Sequence, residues 1–340
     1  MKSRVPRPLR KWTKWLSSVG LLAVMLLALS PGCGRESTQP TGAEATPLRL
    51  AYGKKIHYAP QIIALRNGFF AEEGLAVEDK AVQAGIQAAE ALTSGSADVA
   101  VMGDSPGIIA AASDMPVKIV ASYGGGDRMH RLVAAPRSGI HSPRDLAGKR
   151  VAVQMGSSTH GGFLLFCERN GVELDDMTLV PLNPSDMPEA MLAGEIDAGV
   201  GSEPWPSNIE ERVEGSYEVA ALSGLGNNFP LVMLVSEQFA ENHPEGVVAA
   251  LRATERAVTF MHEHPDEAAS IIAAATGVPV ERERRIMDTL EWAVRLDDAT
   301  VNSLKQTADF LRHRESIRNP PDWDRVIDRS FVAQLGGESG

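Results

Sequence analysis

Two short turns rich in glycine and serine carry the residue types that bind oxyanions. Gly156-Ser157-Ser158-Thr159 leads into one predicted helix, and Gly103-Asp104-Ser105-Pro106 leads into another. Backbone N–H groups at a helix N-terminus and serine hydroxyls can point together at one anion. Taken singly, each turn fits an ordinary helix start better, with Ser157 or Ser105 as the N-cap residue. Their occurrence at equivalent positions of two successive α/β series favours a shared binding cleft.

The charged residues near these turns allow two interpretations. Asp104 and Glu203 fit helix caps, the commonest role of acids at such positions. If they face the bound molecule (the guest) instead, they would repel a simple anion such as nitrate. They would favour a guest that also carries a cationic nitrogen. Arg128 could bind an acid group of the guest bidentately, although a surface arginine is the simpler interpretation.

Further candidates follow the ends of predicted strands, because ligands of open α/β sheets bind there. Trp205 and Tyr58 could enclose an apolar part of the guest, and packing explains Trp205 equally well. His160 has no second His, Cys or acid at ligand spacing, so it is interpreted as a hydrogen-bonding cleft residue and no metal site is predicted. The predicted ligand contacts are His57, Tyr58, Gly85, Ile86, Asp104, Ser105, Arg128, Ser157, Ser158, Thr159, His160, Glu203 and Trp205.

The sequence contains no pattern typical of an active site. It has no P-loop, no nucleophile elbow and no dinucleotide fingerprint. Cys167 lies in an apolar helical stretch and is interpreted as a buried structural thiol. We therefore predict no catalytic residue and no cofactor. Two alternatives stay open: an enzyme that acts on a small acid with Asp104 or His160 as base, and a scaffold with an empty cleft.

Short β-rich runs alternate with helical ones from Leu48 onwards, as in an α/β fold with largely parallel strands. The pattern predicts a hinged clamshell of two lobes, each a mixed sheet flanked by helices. Two extended segments, Arg131–Ala135 and Phe229–Val235, are predicted to join the lobes, and one helix is predicted over Pro60–Phe70. The predicted boundaries are 48–134 for the first part of lobe 1, 135–229 for lobe 2, and 230–340 for the return to lobe 1 with the C-terminal helices.

The N-terminus has the features of a secretory signal. Six basic residues and no acid stand before residue 16, an apolar run covers 16–29, and Ser30-Pro31-Gly32-Cys33 follows. The run is too short to span a bilayer, and its end resembles a lipobox in which Cys33 is lipidated. We expect residues 1–32 to be removed and residues 33–47 to form a flexible tether. The product would be an exported lipoprotein, anchored to a membrane in the periplasm or at the cell surface.

The net charge narrows the range of partners. Without residues 1–32 the chain has 27 Lys and Arg against 44 Asp and Glu, a formal charge of −17. Such an acidic chain is not expected to bind nucleic acid. We expect a monomer.

Four segments together resemble one known family. They are YAPQIIALRNGFFAEEGL at 58–75, LTSGSADVAVMG at 92–103, SPRDLAGKRVAV at 142–153 and LAGEIDA at 192–198, the last followed by Glu203-Pro204-Trp205. The order and spacing of these segments resemble the nitrate/sulfonate/taurine and thiamine-pyrimidine-precursor group of periplasmic solute-binding proteins. The likeness extends from about Leu48 to Phe239.

This resemblance implies a type II periplasmic-binding-protein clamshell that closes on its ligand, performs no catalysis and serves the permease and ATPase of an ABC importer. The family's ligand contacts map onto Gly85, Asp104-Ser105, residues 156–160 and Glu203. Sulfonate binders often carry Trp directly before the acid and proline, whereas Gly201-Ser202 precede Glu203 here, which weakens that assignment. The leading hypothesis is a binder of an alkanesulfonate or taurine-like anion or zwitterion. The alternatives are a pyrimidine precursor of thiamine, nitrate and bicarbonate.

Overall fold

A computed structural model of the protein describes residues 45–113 and 115–338. The predicted signal of residues 1–32, Cys33 and most of the predicted tether lie outside the described residues. The predicted end of the tether is corrected, because Thr46 and Pro47 already belong to the first strand and pair with Leu75 and Ala76.

The first half of the chain builds most of one sheet. Its elements are β1 (Thr46–Gly53), α1 (Ala59–Arg66), α2 (Phe69–Glu72), β2 (Leu75–Val82), α3 (Gly85–Thr93), β3 (Val99–Gly103), α4 (Asp104–Ala112) and β4 (Val117–Gly124). β1 lies between β2 and β3 and is parallel to both. The single helix predicted over Pro60–Phe70 is wrong in its continuity, because Gly68 adopts a left-handed conformation with φ 76° and separates α1 from α2.

The middle of the chain builds a second sheet. Its elements are β5 (His130–Ala134), β6 (Arg150–Val153), α5 (Ser158–Arg169), β7 (Thr178–Pro181), α6 (Met187–Leu192), β8 (Ala198–Ser202), α7 (Trp205–Arg212) and β9 (Tyr217–Ala221). β6 is parallel to β7 and β8, whereas β5 is antiparallel to β8 and β9. The strand order is β7-β6-β8-β5-β9.

The chain then returns to the first sheet and ends in helices. The returning elements are β10 (Leu231–Ser236), α8 (Glu237–Asn242), α9 (Pro244–Glu263), α10 (Pro265–Thr276), α11 (Val280–Met287), α12 (Asp298–His313) and α13 (Trp323–Val326). β10 is antiparallel between β3 and β4, so the first sheet has the order β2-β1-β3-β10-β4. Among the described helices, none has both the length and the apolar character that a bilayer span requires.

Both predicted crossing segments lie inside the sheets. Arg131–Ala135 overlaps β5 of the second sheet, and Phe229–Val235 overlaps β10 of the first. The chain passes between the lobes at residues 125–129 and 222–230 instead. The lobe boundary predicted after residue 134 is therefore corrected to a position before β5.

An apolar stripe of the C-terminal region is buried in the core. Val247, Val248, Leu251, Val258 and Met261 of α9 are all buried and belong to the largest hydrophobic cluster. This helix packs against α1 and α2. It stabilises the outer face of the first lobe and leaves the inner strand ends free for the second lobe.

Candidate functional site

A cavity lies where the inner ends of the two sheets meet. The parallel strands contribute the residues after their carboxyl ends, and the antiparallel strands β5 and β10 contribute their first residues to the same edge. Its volume is about 50 Å³, and on the same measure a cavity needs about 10–15 Å³ to hold a single water. The lining residues are Lys55, His57, Tyr58, Ala84, Gly85, Ile86, Gly103, Pro106, Met129, His130, Gln154, Ser157, Ser158, Thr159, Pro184, Ser202, Phe229 and Leu231.

The N-terminus of α5 forms one wall of this cavity. Ser157 is the N-cap residue: its Oγ accepts from the His160 N–H at 3.2 Å and donates to the Gln154 carbonyl at 2.7 Å. The next two N–H groups, of Ser158 and Thr159, stand at the first helical positions, where no intrahelical acceptor exists. They are therefore available as donors to a guest, with the positive end of the helix dipole behind them.

The N-terminus of α3 faces the same cavity from the first lobe. The Gln87 side chain caps the helix by accepting from the Gln83 and Ala84 N–H groups at 2.9 and 3.3 Å. Gly85 and Ile86 occupy the first two helical positions and line the cavity. Two helix N-termini, one from each lobe, thus converge on one space.

The two lobes touch directly beside this space. The Ser105 N–H donates to Ser158 Oγ at 3.3 Å across the lobes. Gly103 lies so close that a Cβ at this position would stand 2.3 Å from Ser158 Oγ. Residues of the two turns are thus in contact, in a closed arrangement of the lobes.

A group of basic side chains faces the helix N-termini. Lys55 follows β1, His57 lies in the 3-10 turn Ile56–Tyr58, and His130 begins β5. Burial, and then the charge of Lys55, lowers the pKa of His57 well below its usual range and that of His130 to about 3. Both rings are therefore neutral at pH 7. Burial also lowers the pKa of Lys55 to about 8, which leaves it mostly charged at pH 7.

Several buried nitrogen atoms at this wall have no hydrogen-bond partner. Both ring nitrogens of His57 and Nε2 of His130 are unpartnered, while His130 Nδ1 is 2.9 Å from Thr159 Oγ1. Buried polar atoms of native proteins are nearly always satisfied, so these unpartnered atoms next to a cavity are available to a bound guest. The Phe229 and His130 rings pack in a T-shaped arrangement with their centroids 4.6 Å apart, and Phe229 forms an apolar side of the cavity with Tyr58.

The structure places Asp104 and Ser105 outside the cavity lining. Asp104 is buried and accepts from the Ser105 N–H at 2.7 Å, Asn227 Nδ2 at 3.1 Å and Thr307 Oγ1 at 3.0 Å. Its carboxylate is satisfied by these donors behind the cavity wall. Ser105 contacts the second lobe, since a Cβ on Gly161 would be 2.9 Å from its Oγ.

Four other predicted contacts also lie away from the lining. Glu203 accepts from Arg131 Nε at 2.8 Å and borders a separate groove with Arg128, whose side chain is 61% exposed. Trp205 borders another groove beside α7. His160 turns its Nδ1 back to the Gly156 N–H at 3.3 Å. Of the predicted contacts, the structure brings together His57, Tyr58, Gly85, Ile86, Ser157, Ser158 and Thr159 at one cavity.

Sequence reasoning missed Lys55, His130 and Phe229 as cavity residues. Lys55 is one of two adjacent lysines after β1, and its neighbour Lys54 is exposed and does not reach the cavity. His130 and Phe229 precede or begin antiparallel strands, whose first residues share an edge with the carboxyl ends of parallel strands. A search restricted to residues after strands overlooks them. In residues 45–113 and 115–338, no cluster of His, Cys, Asp and Glu is arranged to hold a metal ion.

Known proteins resemble the chain over most of its length. The family model described as NMT1/THI5 like matches residues 55–268, more than half of the chain. A putative aliphatic sulfonates-binding protein of Bacillus subtilis (strain 168) is 26% identical over 317 residues, which cover 92% of this chain and 95% of that protein. The taurine-binding periplasmic protein of Escherichia coli (strain K12) is 27% identical over 303 residues, which cover 85% and 94%.

Solved structures share the two-lobe fold. The periplasmic aliphatic sulphonate binding protein SsuA from Escherichia coli matches with a TM-score of 0.76 at 22% identity, covering 83% of this chain and 92% of that one. The desulfurization enzyme DszB matches with a TM-score of 0.66 at 15% identity, covering 85% and 98%. At these identities the matches show the fold, and the predicted α/β clamshell is confirmed.

Proposed function

Because the chain belongs to the NMT1/THI5-like family, we propose that it is the solute-binding subunit of an ABC importer and captures a small organic oxyanion of the sulfonate class. The observation that carries this proposal is the cavity between the lobes, which receives the N-termini of α3 and α5 from opposite sides. Helix N-termini are a ready site for anions. The names of the Bacillus subtilis and Escherichia coli relatives support a sulfonate as the anion.

The mechanism is closure of the two lobes on the guest. The guest oxyanion accepts from N–H groups of both helices, so it stabilises the state in which the lobes are in contact. Ser105, Ser158 and Gly103 form that contact. The permease then distinguishes the closed from the open form, and the ATPase drives release of the solute.

We propose binding without chemistry. Asp104, a candidate base, is satisfied by Asn227 and Thr307 and does not line the cavity. The cavity histidines have pKa values far below 7, which makes them poor general bases at neutral pH. Burial raises the pKa of Cys167 to about 12, so its thiolate is scarce. These three observations favour a binding protein over an enzyme.

The cellular setting is proposed from the N-terminal sequence. Residues 1–32 would direct export, and lipid on Cys33 would hold the two-lobe domain at a membrane beside its permease. The periplasm or the outer cell surface is then the site of capture. Mass spectrometry of the purified membrane form tests this, with a diacylated N-terminal Cys33 as the expected result and an unmodified or uncleaved chain as the contrary one.

Isothermal titration calorimetry of the purified protein tests the solute. We expect binding of propane-1-sulfonate and none of propan-1-ol, the matched control that lacks the sulfonate. Nitrate, bicarbonate and an aminopyrimidine complete the panel. Binding of the aminopyrimidine with no response to any sulfonate would overturn the proposed solute class.

A further inference from the structure

Lys55 is the one cationic side chain among the described residues that line the cavity, and no carboxylate of the described chain joins it there. Its ammonium makes no hydrogen bond or ion pair with any residue in 45–113 or 115–338. Lys55 lines the cavity together with His57 and His130. A charge in such a position is normally paired, so an unpaired one facing a cavity indicates that the guest supplies the opposite charge.

Three acids around the cavity, Asp104, Glu203 and Glu211, are each committed to another partner. Asp104 accepts from Asn227 and Thr307. Glu203 is paired with Arg131. Glu211, across the groove that borders the other side of Lys55, is paired with Arg282. The cavity wall therefore offers a cation, two neutral imidazoles and backbone donors, and no counter-charge for a cationic guest.

We propose that Lys55 selects guests by charge, so that the solute is a small anion without an ammonium group and taurine-like zwitterions are rejected. This inference rests on the proposed function and specifies its solute. It reverses the expectation that Asp104 and Glu203 would favour a zwitterion, because neither residue lines the cavity.

The rejection of an ammonium group follows from charge and space together. The cavity volume of about 50 Å³ holds a guest of only a few non-hydrogen atoms. In such a guest the two ends are a few ångströms apart, so a sulfonate bound at the helix N-termini leaves its other end close to Lys55 or the histidines. A second ammonium there would be desolvated without a carboxylate and repelled by Lys55.

Three ligands of nearly equal size distinguish the effect of charge on affinity from the effect of polarity. Propane-1-sulfonate, 2-hydroxyethanesulfonate and taurine differ at the terminal position by methyl, hydroxyl and ammonium. Calorimetry on the purified protein at pH 7 is expected to give an affinity for propane-1-sulfonate that exceeds that for taurine about tenfold or more. The hydroxyl compound should bind much more like propane-1-sulfonate than like taurine. Taurine binding as tight as that of propane-1-sulfonate would overturn the inference.

The variant Lys55→Met removes the charge and keeps most of the side-chain length. We expect it to lose about tenfold or more in affinity for propane-1-sulfonate and to show a narrower gap between that ligand and taurine. Lys54→Met is the matched control, because this adjacent lysine is exposed and outside the cavity. Equal affinities in Lys55→Met and in the unaltered protein would overturn the inference.

The outcomes also separate this inference from the proposed function. Tight binding of all three sulfonates leaves the proposed function intact and removes charge selection by Lys55. Binding of none of them overturns both. Should Lys55→Met fail to fold, as judged by thermal unfolding, Lys55→Gln replaces it, and the ratio of the ligands on the unaltered protein still decides.

Discussion

The turns Gly103–Ser105 and Gly156–Thr159 have similar compositions and both open a helix, but their surroundings are opposite. In the first turn, the Asp104 carboxylate and the Ser105 N–H are bonded within the protein. In the second, Ser157 caps the helix and leaves the first two N–H groups, of Ser158 and Thr159, facing the cavity. One turn is a buried structural junction, and the other is open to a guest.

This difference shows that the start of a helix becomes a binding site only if its polar groups have no hydrogen-bond partners inside the protein. In the first turn, the Asp104 carboxylate accepts hydrogen bonds from Asn227 and Thr307. Asn227 lies in the second crossing and Thr307 in α12. Within residues 45–113 and 115–338, no comparable side chain bonds the Ser158 and Thr159 N–H groups of α5. The turn Gly156–Thr159, called the open turn below, can bind a guest because the fold leaves its N–H groups without partners.

The largest expected effect is on stability, in Asp104→Ala. This change leaves the buried Asn227 amide and Thr307 hydroxyl without their acceptor, so the free energy of unfolding should fall by about 2–4 kcal/mol. Urea unfolding measures the loss. Asp127→Ala, at an exposed acid near the first crossing, is the control and should change stability by less than about 0.5 kcal/mol. Unchanged stability with abolished binding would instead identify Asp104 as a ligand contact.

A smaller effect is expected on closure, in Gly103→Ala. The backbone of Gly103, with φ −74°, suits alanine, but the added Cβ would meet Ser158 Oγ at 2.3 Å and its Cβ at 3.2 Å. The clash opposes the contact between the lobes and should weaken the affinity for propane-1-sulfonate by about 1–3 kcal/mol. Calorimetry measures it, with Gly336→Ala in open space as control. An unaltered dissociation constant would mean that capture does not require this contact.

The sequence predicts most of the elements and the helix start after Ser157, because both depend on local signals. Alternating β and helical runs and the cap at Ser157 are such signals. The environment of Asp104 depends on Asn227 and Thr307, which are 123 and 203 residues away, and no local pattern reveals it. The choice between Lys54 and Lys55 likewise depends on the turn at Ile56–Tyr58, which directs one lysine inward.

The pH dependence of binding separates Lys55 from the open turn. The pKa of Lys55 is about 8 without ligand, and a bound anion favours the charged form of this lysine. Affinity for propane-1-sulfonate should therefore be flat below pH 8 and fall above it, by at most about tenfold per pH unit. Backbone donors of α5 do not titrate.

Other groups around Lys55 do not disturb this profile. His57 and His130 stay neutral above pH 7, burial raises the pKa of Tyr58, and Glu211 and Arg282 on the outer side are paired with each other. Calorimetry from pH 6.5 to 9.5 measures the profile, and Lys55→Met should remove the decline. A decline that persists in this variant would assign the titration to another group.

The smallest effects distinguish the two serines of the open turn. Ser157 Oγ is already used as donor and acceptor within the turn, so Ser157→Ala should cost about 1 kcal/mol of stability and little affinity. Ser158 Oγ makes the contact with the Ser105 N–H and lines the cavity, so Ser158→Ala should cost about 0.5–1.5 kcal/mol of affinity and little stability. Urea unfolding and calorimetry on both variants measure the two quantities side by side. If Ser157→Ala lost the affinity and Ser158→Ala the stability, the assignment of cap and contact within this turn would be reversed.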